Sequence, residues 1–379
     1  MKDTTLKGYW WLPEKENDSV PGLLSIAEDN KVTLDLIGTL EGLDAFSKCK
    51  KYPIIFGITY DGKQYTLADC VVTNSVLCTP GFPYQSFSPT SAYAGAHLID
   101  PRNTLFGGLR VEYSHLTAWT CMSGISCEFG MESRDIKQWS ATYTPSPEAS
   151  AQLPDLGNVT LCSIGQMSVD SAHQIAMSEV KRLIFRPVEP MTLEDLDRGF
   201  MYPMRNFLSF AAMSSVYPTS VYLSIPGGAG HANENDSDLT EVEVLFRLAR
   251  KTSTDVQKGF ALMDMLFYLQ DVADRFQEVL AKWFSMTKEL GTALDAFFAV
   301  TQNPVLPLEH RFLNTVQALE SYHRCRMNKQ IFANEEHADL VRRCACAVSD
   351  KYKEWVRNVL RHSNEPTLKH RIVELMNEG

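Results

Sequence analysis

The stretch YPIIFGITYDGKQYTLADCVV, residues 52–72, decides the fold of the N-terminal part of the chain. Two apolar segments flank the pair Asp61-Gly62, and this pattern predicts a β-hairpin. The pair suits a type I′ turn, in which both central residues adopt positive φ. Residues 23–40 repeat the pattern, because LLSIA and KVTLDLIGTL flank the polar turn EDN. The two segments predict antiparallel β structure.

The β pattern continues for most of the N-terminal two thirds of the chain. LRVEYSHLTAW (109–119) alternates in part between apolar and polar residues, and VTLCSIGQMSV (159–169) has the composition of a further strand. EVEVLFRLAR (241–250) alternates again and is expected to close the sheet. We therefore predict a β-sandwich-like domain over residues 1–250.

One helical insertion is predicted within this domain, over residues 192–213. It begins at Thr192, whose hydroxyl can cap a helix, and acidic residues follow in the first turn. Pro203 is expected to interrupt it, because proline lacks a backbone N–H.

The adjacent tryptophans Trp10 and Trp11 give the first strand a specific expectation. Successive side chains of a strand point to opposite faces of the sheet. One ring should therefore lie in the β core, and the other should pack against a second surface, for example that of the helical domain.

The C-terminal third of the chain has helical periodicity. Apolar residues recur at helical spacing from Asp255 to the break at Asn303-Pro304, and further helices are predicted over residues 308–327, 335–360 and the segment after Pro366. Antiparallel helices of this kind form a bundle. The sequence thus predicts an α+β protein of two domains, with an all-α helical bundle over residues 251–379 after the β-rich domain.

Composition narrows the function classes. The 379 residues carry a net charge of −10, which argues against a surface covered by basic patches. The segment from Arg311 onward is slightly basic, which suits either an anionic partner or a solvated surface of mixed charge. An odd number of cysteines, 9, without a C-x-x-C pair favours a reducing cytoplasm over a disulfide framework. No apolar run is long enough to span a bilayer, so no membrane partner is expected.

No metal or cofactor site is predicted. Cys344 and Cys346 are two residues apart, as are His323 and Cys325, so helical geometry directs each pair to different faces. Neither spacing suits zinc. The glycines of the segment 227–230 lack the lysine that a phosphate loop requires.

The candidate catalytic residues lie in the segment RNVLRH, which begins at Arg357 and ends at His362. Arginine offers a fixed cation for phosphate, and histidine can move a proton near neutral pH. Five residues of straight helix would set the two side chains about 140° apart. The helix is expected to end near His362, so the ring can fold back. Glu320 and His323 share a helix face, where a carboxylate can orient an imidazole.

Several segments resemble the ApeA family. LKGYWWLP (6–13) and GGLRVEYSHLTAWT (107–120) resemble its N-terminal domain. FLNTVQALESYHR (312–324) and NEPTLKHRI (364–372) resemble the HEPN domain that follows it. The resemblance covers nearly the whole chain, and its opening motif is the most specific part.

The resemblance implies an antiphage abortive-infection toxin that cleaves RNA, by analogy tRNA, without a metal. Its R-x4-6-H motif would here be Arg357 and His362, with Asn358 as the orienting residue and Glu320 and His323 as neighbours. HEPN proteins usually build one cleft from two protomers, so a homo-oligomer is expected. A phage-encoded trigger is a further expected partner, with the β-rich domain as sensor or regulator.

The order of two motifs leaves an alternative open. In the family the NEP segment precedes the catalytic motif, whereas here RNVLRH precedes NEPTLKHRI. Either RNVLRH is the catalytic motif, or that motif lies beyond Gly379. In the second case the HEPN-like domain is incomplete and the chain is a catalytically inactive sensor or binding fragment.

Overall fold

The computed structural model describes most of the chain as two compact units. The described residues are 3–42, 51–132, 135–171, 174–226, 240–246, 265–303, 305–327 and 329–378. The units are Met1–Ala281 and Lys282–Gly379. The first is built mainly of strands and the second of helices, which confirms the predicted α+β fold class. The predicted domain boundary at 250/251 lies outside the described residues.

The described elements follow one another as a long β-rich series and then a helical series. The strands are β1 Thr4–Trp11, β2 Val20–Ile26, β3 Val32–Ile37, β4 Lys51–Thr59, β5 Gln64–Val76, β6 Tyr84–Ser88, β7 Ser91–Ala94, β8 Gly108–Tyr113, β9 Ile125–Glu132, β10 Asp135–Tyr143, β11 Ala149–Leu153, β12 Gly157–Ser171, β13 Gln174–Pro187, β14 Pro218–Ile225 and β15 Thr240–Phe246. The helices are α1 Leu116–Thr120, α2 Leu193–Leu196, α3 Tyr202–Ala212, α4 Leu269–Val272, α5 Phe276–Thr301, α6 Leu308–Met327, α7 Asn334–Cys346, α8 Asp350–Leu360 and α9 Leu368–Glu378. The division between the units falls within α5.

The first six strands close into a barrel. The domain predicted to be β-sandwich-like is thus a barrel joined to an open sheet. Their order is β5-β4-β1-β2-β3-β6, and β6 pairs back onto β5. The strand β5 pairs with two different strands along one edge: residues 65–68 pair with β7, and residues 71–76 pair with β6. From β7 an open sheet continues through β15, β14, β8, β13, β12 and β11.

The hairpin between β4 and β5 confirms the predicted strand pairing but not the turn type. Only Gly62 has positive φ, at 82°, and Asp61 is not among the described residues with positive φ. The Gly62 N–H donates to the Thr59 carbonyl at 2.8 Å, and the Thr59 N–H donates to the Lys63 carbonyl at 3.0 Å. The Asp61 carboxylate accepts a hydrogen bond from the Thr59 hydroxyl at 2.6 Å, and this bond holds the Asp61 side chain against the turn. The loop is therefore a turn with a glycine bulge, not a type I′ turn.

The two tryptophans of β1 face opposite sides, as predicted. Trp10 is 0% exposed in the barrel core, where its ring lies 6.2 Å from that of Tyr65. Trp11 is 7% exposed, and the edge of its ring meets the His97 ring at 5.3 Å. The second surface is thus supplied by a segment of the same unit.

The helical insertion begins where the sequence predicts. The Thr192 hydroxyl accepts a hydrogen bond from the Asp195 N–H at 3.2 Å, which caps α2. The sequence predicted that Pro203 would interrupt this helix. In the structure the helix continues past Pro203 to Ala212. The chain stays helical through a wide π turn at Asp197–Met201, and the proline lies in the first turn of α3, which follows it.

Two local predictions are corrected. The predicted strand over 109–119 ends at Tyr113, and the remainder forms α1, whose Leu116 and Trp119 are buried three residues apart. The predicted helix over 335–360 is two helices, because α8 restarts after Ser349. The helices predicted over 308–327 and after Pro366 are confirmed as α6 and α9.

Gly57 on β4 tests the barrel core. A Cβ at this position would fall inside the van der Waals radius of the Trp10 ring, which is fully buried and cannot move aside. We expect Gly57→Ala to lower the free energy of unfolding by about 1–3 kcal/mol through overpacking. Urea denaturation followed by tryptophan fluorescence measures this loss.

Gly291 on α5 provides the matched control. A Cβ there meets no atom within 4 Å, so Gly291→Ala should leave stability unchanged or raise it by up to about 1 kcal/mol. An unaltered urea midpoint for Gly57→Ala would contradict the close packing of Trp10 over β4.

Candidate functional site

Three of the predicted site residues lie on α8 and the turn after it. Arg357 and Asn358 have exposed side chains in the last turns of α8. His362 lies beyond the last helical residue, Leu360, and is also exposed. Its Nδ1 atom is 3.4 Å from Oε1 of Glu365. The segment therefore brings a cation, an amide and an imidazole that lies beside a carboxylate to the surface of the C-terminal unit.

Glu365 is the centre of an ionic network beneath this turn. Its Oε2 atom accepts a hydrogen bond from Nη2 of Arg324 and another from Nη2 of Arg371, each at 2.9 Å. Partial burial alone would raise the pKa of the carboxyl, but Arg324, His362 and Arg371 outweigh it and hold the pKa below its usual range. The carboxylate beside His362 is therefore ionised at neutral pH.

Arg371 connects α9 to α6. Its side chain is 5% exposed, and its Nε atom donates to the Pro366 carbonyl at 2.9 Å. Its Nη1 atom approaches the Glu320 carbonyl at 3.5 Å. A buried guanidinium is tolerated only when its donors are satisfied, and here two carbonyls and the Glu365 carboxylate satisfy them.

Asn364 fixes the loop between α6 and α7. Its side-chain oxygen accepts from the Phe332 N–H at 2.8 Å, and its amide nitrogen donates to the Phe332 carbonyl at 3.0 Å. Its own carbonyl accepts from the Ile331 N–H at 3.0 Å. The Asn364 amide thus forms a pair of hydrogen bonds with the Phe332 backbone, as a neighbouring strand would. These bonds fix the NEP segment, and with it the turn that carries His362, to the loop between α6 and α7.

His323 lies in the core of the helical unit, where it is 1% exposed. Its Nε2 atom is 2.7 Å from Oε2 of Glu374 on α9, whereas the sequence suggested Glu320 as the orienting carboxylate. The hydrogen bond from His323, together with that from Lys329, lowers the pKa of Glu374. At this depth the imidazole joins α6 to α9 and has no open face for a substrate.

The structure thus separates the five predicted site residues into two groups. Arg357, Asn358 and His362 share the exposed end of α8. Glu320 and His323 belong to the packed face between α6 and α9.

The sequence analysis missed two carboxylates of this region. Glu365 is three residues after His362, a spacing that signals the contact. Glu374 is 51 residues from His323, and no local pattern announces that pair.

The described residues also bear on metal binding and on the crossing of a membrane. No group of three or more histidine, cysteine, aspartate or glutamate side chains is placed there to hold a metal ion. Among the described helices, none combines the length and the apolar character that crossing a bilayer requires.

Comparison with known protein families gives two matches, one for each part of the chain. The model of the ApeA N-terminal domain 1 matches residues 5–283. The model of the Apea-like HEPN domain matches residues 313–378. No curated protein and no solved structure matches the chain.

Asn364 and Asn358 form a matched pair for testing the turn. Asn364→Ala removes three side-chain hydrogen bonds, two to the backbone of Phe332 and one to Gln330, and leaves backbone groups of Phe332 unpaired, so we expect a loss of about 1–3 kcal/mol in stability. Asn358→Ala changes an exposed helical position and should stay within about 0.5 kcal/mol of the wild type. Thermal unfolding followed by far-UV circular dichroism compares them, and equal melting temperatures would show that the loop is held by other contacts.

Proposed function

Because the chain belongs to the ApeA family of antiphage HEPN proteins, we propose that it is an endoribonuclease that cleaves RNA through Arg357 and His362 without a metal ion. One observation carries the proposal. Both side chains are exposed on a single segment, and the imidazole lies beside a carboxylate that two arginines hold in place. That carboxylate can fix the ring orientation that proton transfer requires.

The local backbone departs from a straight helix between the two side chains. On a straight helix they would diverge by about 140°. Here α8 ends before His362, and the chain continues in tight turns, since the Ser363 N–H donates to the Leu360 carbonyl at 3.1 Å and the Glu365 N–H donates to the His362 carbonyl at 3.2 Å. His362 therefore lies in these turns and not within α8.

The proposed reaction needs only proton transfer and charge stabilisation. The 2′-oxygen of a ribose attacks the adjacent phosphorus, and the bond from phosphorus to the 5′-oxygen breaks. His362 accepts the proton of the 2′-hydroxyl, and Arg357 binds the negative charge that grows on the phosphate oxygens. Asn358 can orient the substrate by a hydrogen bond from its amide. The products are a 2′,3′-cyclic phosphate and a 5′-hydroxyl, which takes its proton from water.

The biological setting follows the family. By analogy we propose tRNA as the substrate and abortive infection in the cytoplasm as the outcome, so that the chain acts as a toxin. The β-rich domain would sense a phage-encoded trigger. Glu320 and His323 would position the helices that carry the site, since their contacts join α6 to α9.

A second copy of the chain is the proposed partner of α8. Tyr352, Trp355 and Val359 are exposed at spacings of three and four residues, which places them on one face of the helix. Exposed apolar stripes of this size commonly mark protein interfaces. Arg357 lies roughly opposite this face on α8, so pairing through the apolar face would leave the guanidinium of each protomer accessible to RNA.

Substitution of His362 tests the proposed chemistry directly. With bulk tRNA as substrate, we expect His362→Ala to slow cleavage by about 100-fold or more, because the proton acceptor is lost. Arg357→Ala should cost about 3 kcal/mol, a similar factor, through loss of phosphate stabilisation. Denaturing gel electrophoresis of end-labelled RNA measures both, and EDTA should leave the rate unchanged.

His310→Ala and Arg311→Ala are the matched controls, since both side chains are exposed on α6, away from the proposed pair. Their rates should equal that of the wild type. A wild-type chain that cleaves no RNA, or a His362→Ala variant that retains full activity, would contradict the proposal. The first outcome would favour the sensor or binding function without catalysis.

Trp355 tests the proposed pairing of α8. Its side chain is 64% exposed, so Trp355→Glu should fold normally while it places a charge in the apolar face. We expect this variant to elute as a monomer in size-exclusion chromatography with light scattering, where the wild type is at least dimeric. Trp139→Glu, at a site 61% exposed on β10, is the matched control and should not change the mass. A monomeric wild type would exclude the partner.

A further inference from the structure

The N-terminal unit contains a cavity of about 530 Å³ between β7, β15 and the helical insertion. This volume lies within the range of small-molecule sites, about 300–1,000 Å³. Five aromatic rings line it: those of Tyr93, Tyr113, Tyr202, Tyr217 and Phe246. The wall is well ordered by internal contacts, since Tyr93 and Tyr113 are buried.

The position of the cavity is fixed by a contact between sheet and insertion. The Tyr113 hydroxyl on β8 donates to the Met201 carbonyl at 3.0 Å, which anchors the π turn against the sheet. The π turn in turn brings Asp197 to the wall of the cavity. Sequence periodicity does not predict that Asp197 lines the cavity, because a wide π turn replaces the regular helix at this point.

Two groups of opposite charge face the cavity. The guanidinium carbon of Arg205 lies 4.6 Å from the centroid of the Tyr202 ring, which is a cation–π contact. The Nε atom of Arg205 is buried and has no hydrogen-bond partner among the described residues. Asp197, the other group, supplies a carboxylate acceptor. Other charged residues of the lining are engaged elsewhere, as Arg102 is with Asp69 at 2.7 Å.

We propose that this cavity binds a small molecule that contains a nucleobase, as a free nucleoside or mononucleotide. Aromatic rings and arginine planes are the surfaces on which bases stack. An arginine provides donors for the acceptor edge of a base or for a phosphate, and a carboxylate accepts from an exocyclic amine. The cavity combines these elements in a space of suitable size. This inference is independent of the proposed ribonuclease, because it concerns residues of the N-terminal unit alone.

Isothermal titration of the full chain tests the proposal. The panel contains the four common nucleosides, their 5′-monophosphates, ribose 5-phosphate and a medium-chain fatty acid. We expect at least one base-containing compound to bind, and ribose 5-phosphate and the fatty acid to bind at least tenfold more weakly. Arg205→Gln, which removes the cation, should weaken binding at least tenfold.

Leu193→Trp is a second variant, which fills the cavity from a half-buried position and should abolish binding. Two matched controls should bind like the wild type. Arg275→Gln removes an equal charge at an exposed position that does not line the cavity, and Val188→Trp adds an equal ring at an exposed surface position.

Three results would overturn the proposal. In the first, no member of the panel binds at millimolar concentration. In the second, the fatty acid or ribose 5-phosphate binds as tightly as the best nucleotide, which would show an apolar or phosphate site. In the third, Leu193→Trp binds like the wild type, which would place the ligand elsewhere. If Arg205→Gln fails to fold, as a melting curve would show, the ligand panel and Leu193→Trp decide the question.

Discussion

The β-rich unit depends on the hydrogen bonding of one strand, β5. A buried strand must pair its backbone groups on both sides, and β5 is too long for either β6 or β7 alone. Its second half pairs with β6, and this pairing closes the barrel. Its first half pairs with β7, the strand from which the open sheet continues. The barrel core and the sheet that carries β15 therefore share a single strand. The aromatic cavity is built on the β7 side of this branch, so its walls follow from the same constraint.

The helical unit depends instead on the satisfaction of buried polar groups. Arg371 and Asn364 are both buried, and each would be costly if it lacked partners. Their partners are the loop at 330–332, the carbonyl of Glu320 and the carboxylate of Glu365. The same carboxylate lies beside His362. A structural network and a candidate catalytic side chain thus share one residue, Glu365.

Local patterns predicted local structure well. The hairpin at Asp61-Gly62, the cap at Thr192 and the helix α6 each depend on residues close together in sequence, and each is found. Barrel closure depends on which distant strand edges meet, and that information is absent from any single segment. The type of the hairpin turn was also missed, because the side chain of Asp61 changes the preference of its own backbone.

The site shows the same division between local and distant information. Arg357 and His362 are exposed because α8 and the turn after it are rich in polar residues. The sequence alone predicts this exposure. The partner of His323 is a residue 51 positions away, and the suggested Glu320 was the only local choice.

The charge of the chain limits how such a site can bind RNA. A net charge of −10 repels a polyanion at long range, so the protein cannot gather RNA by a general electrostatic field. Binding must come from a few cations close to the scissile phosphate, where screening by salt is least effective. Lys351, Arg357 and Arg361 are exposed along α8, while Lys353 is held by Asp350 at 2.6 Å. Arg357 lies roughly opposite the apolar face of α8, so a dimer formed through that face would leave this cation of each protomer able to contact a phosphate.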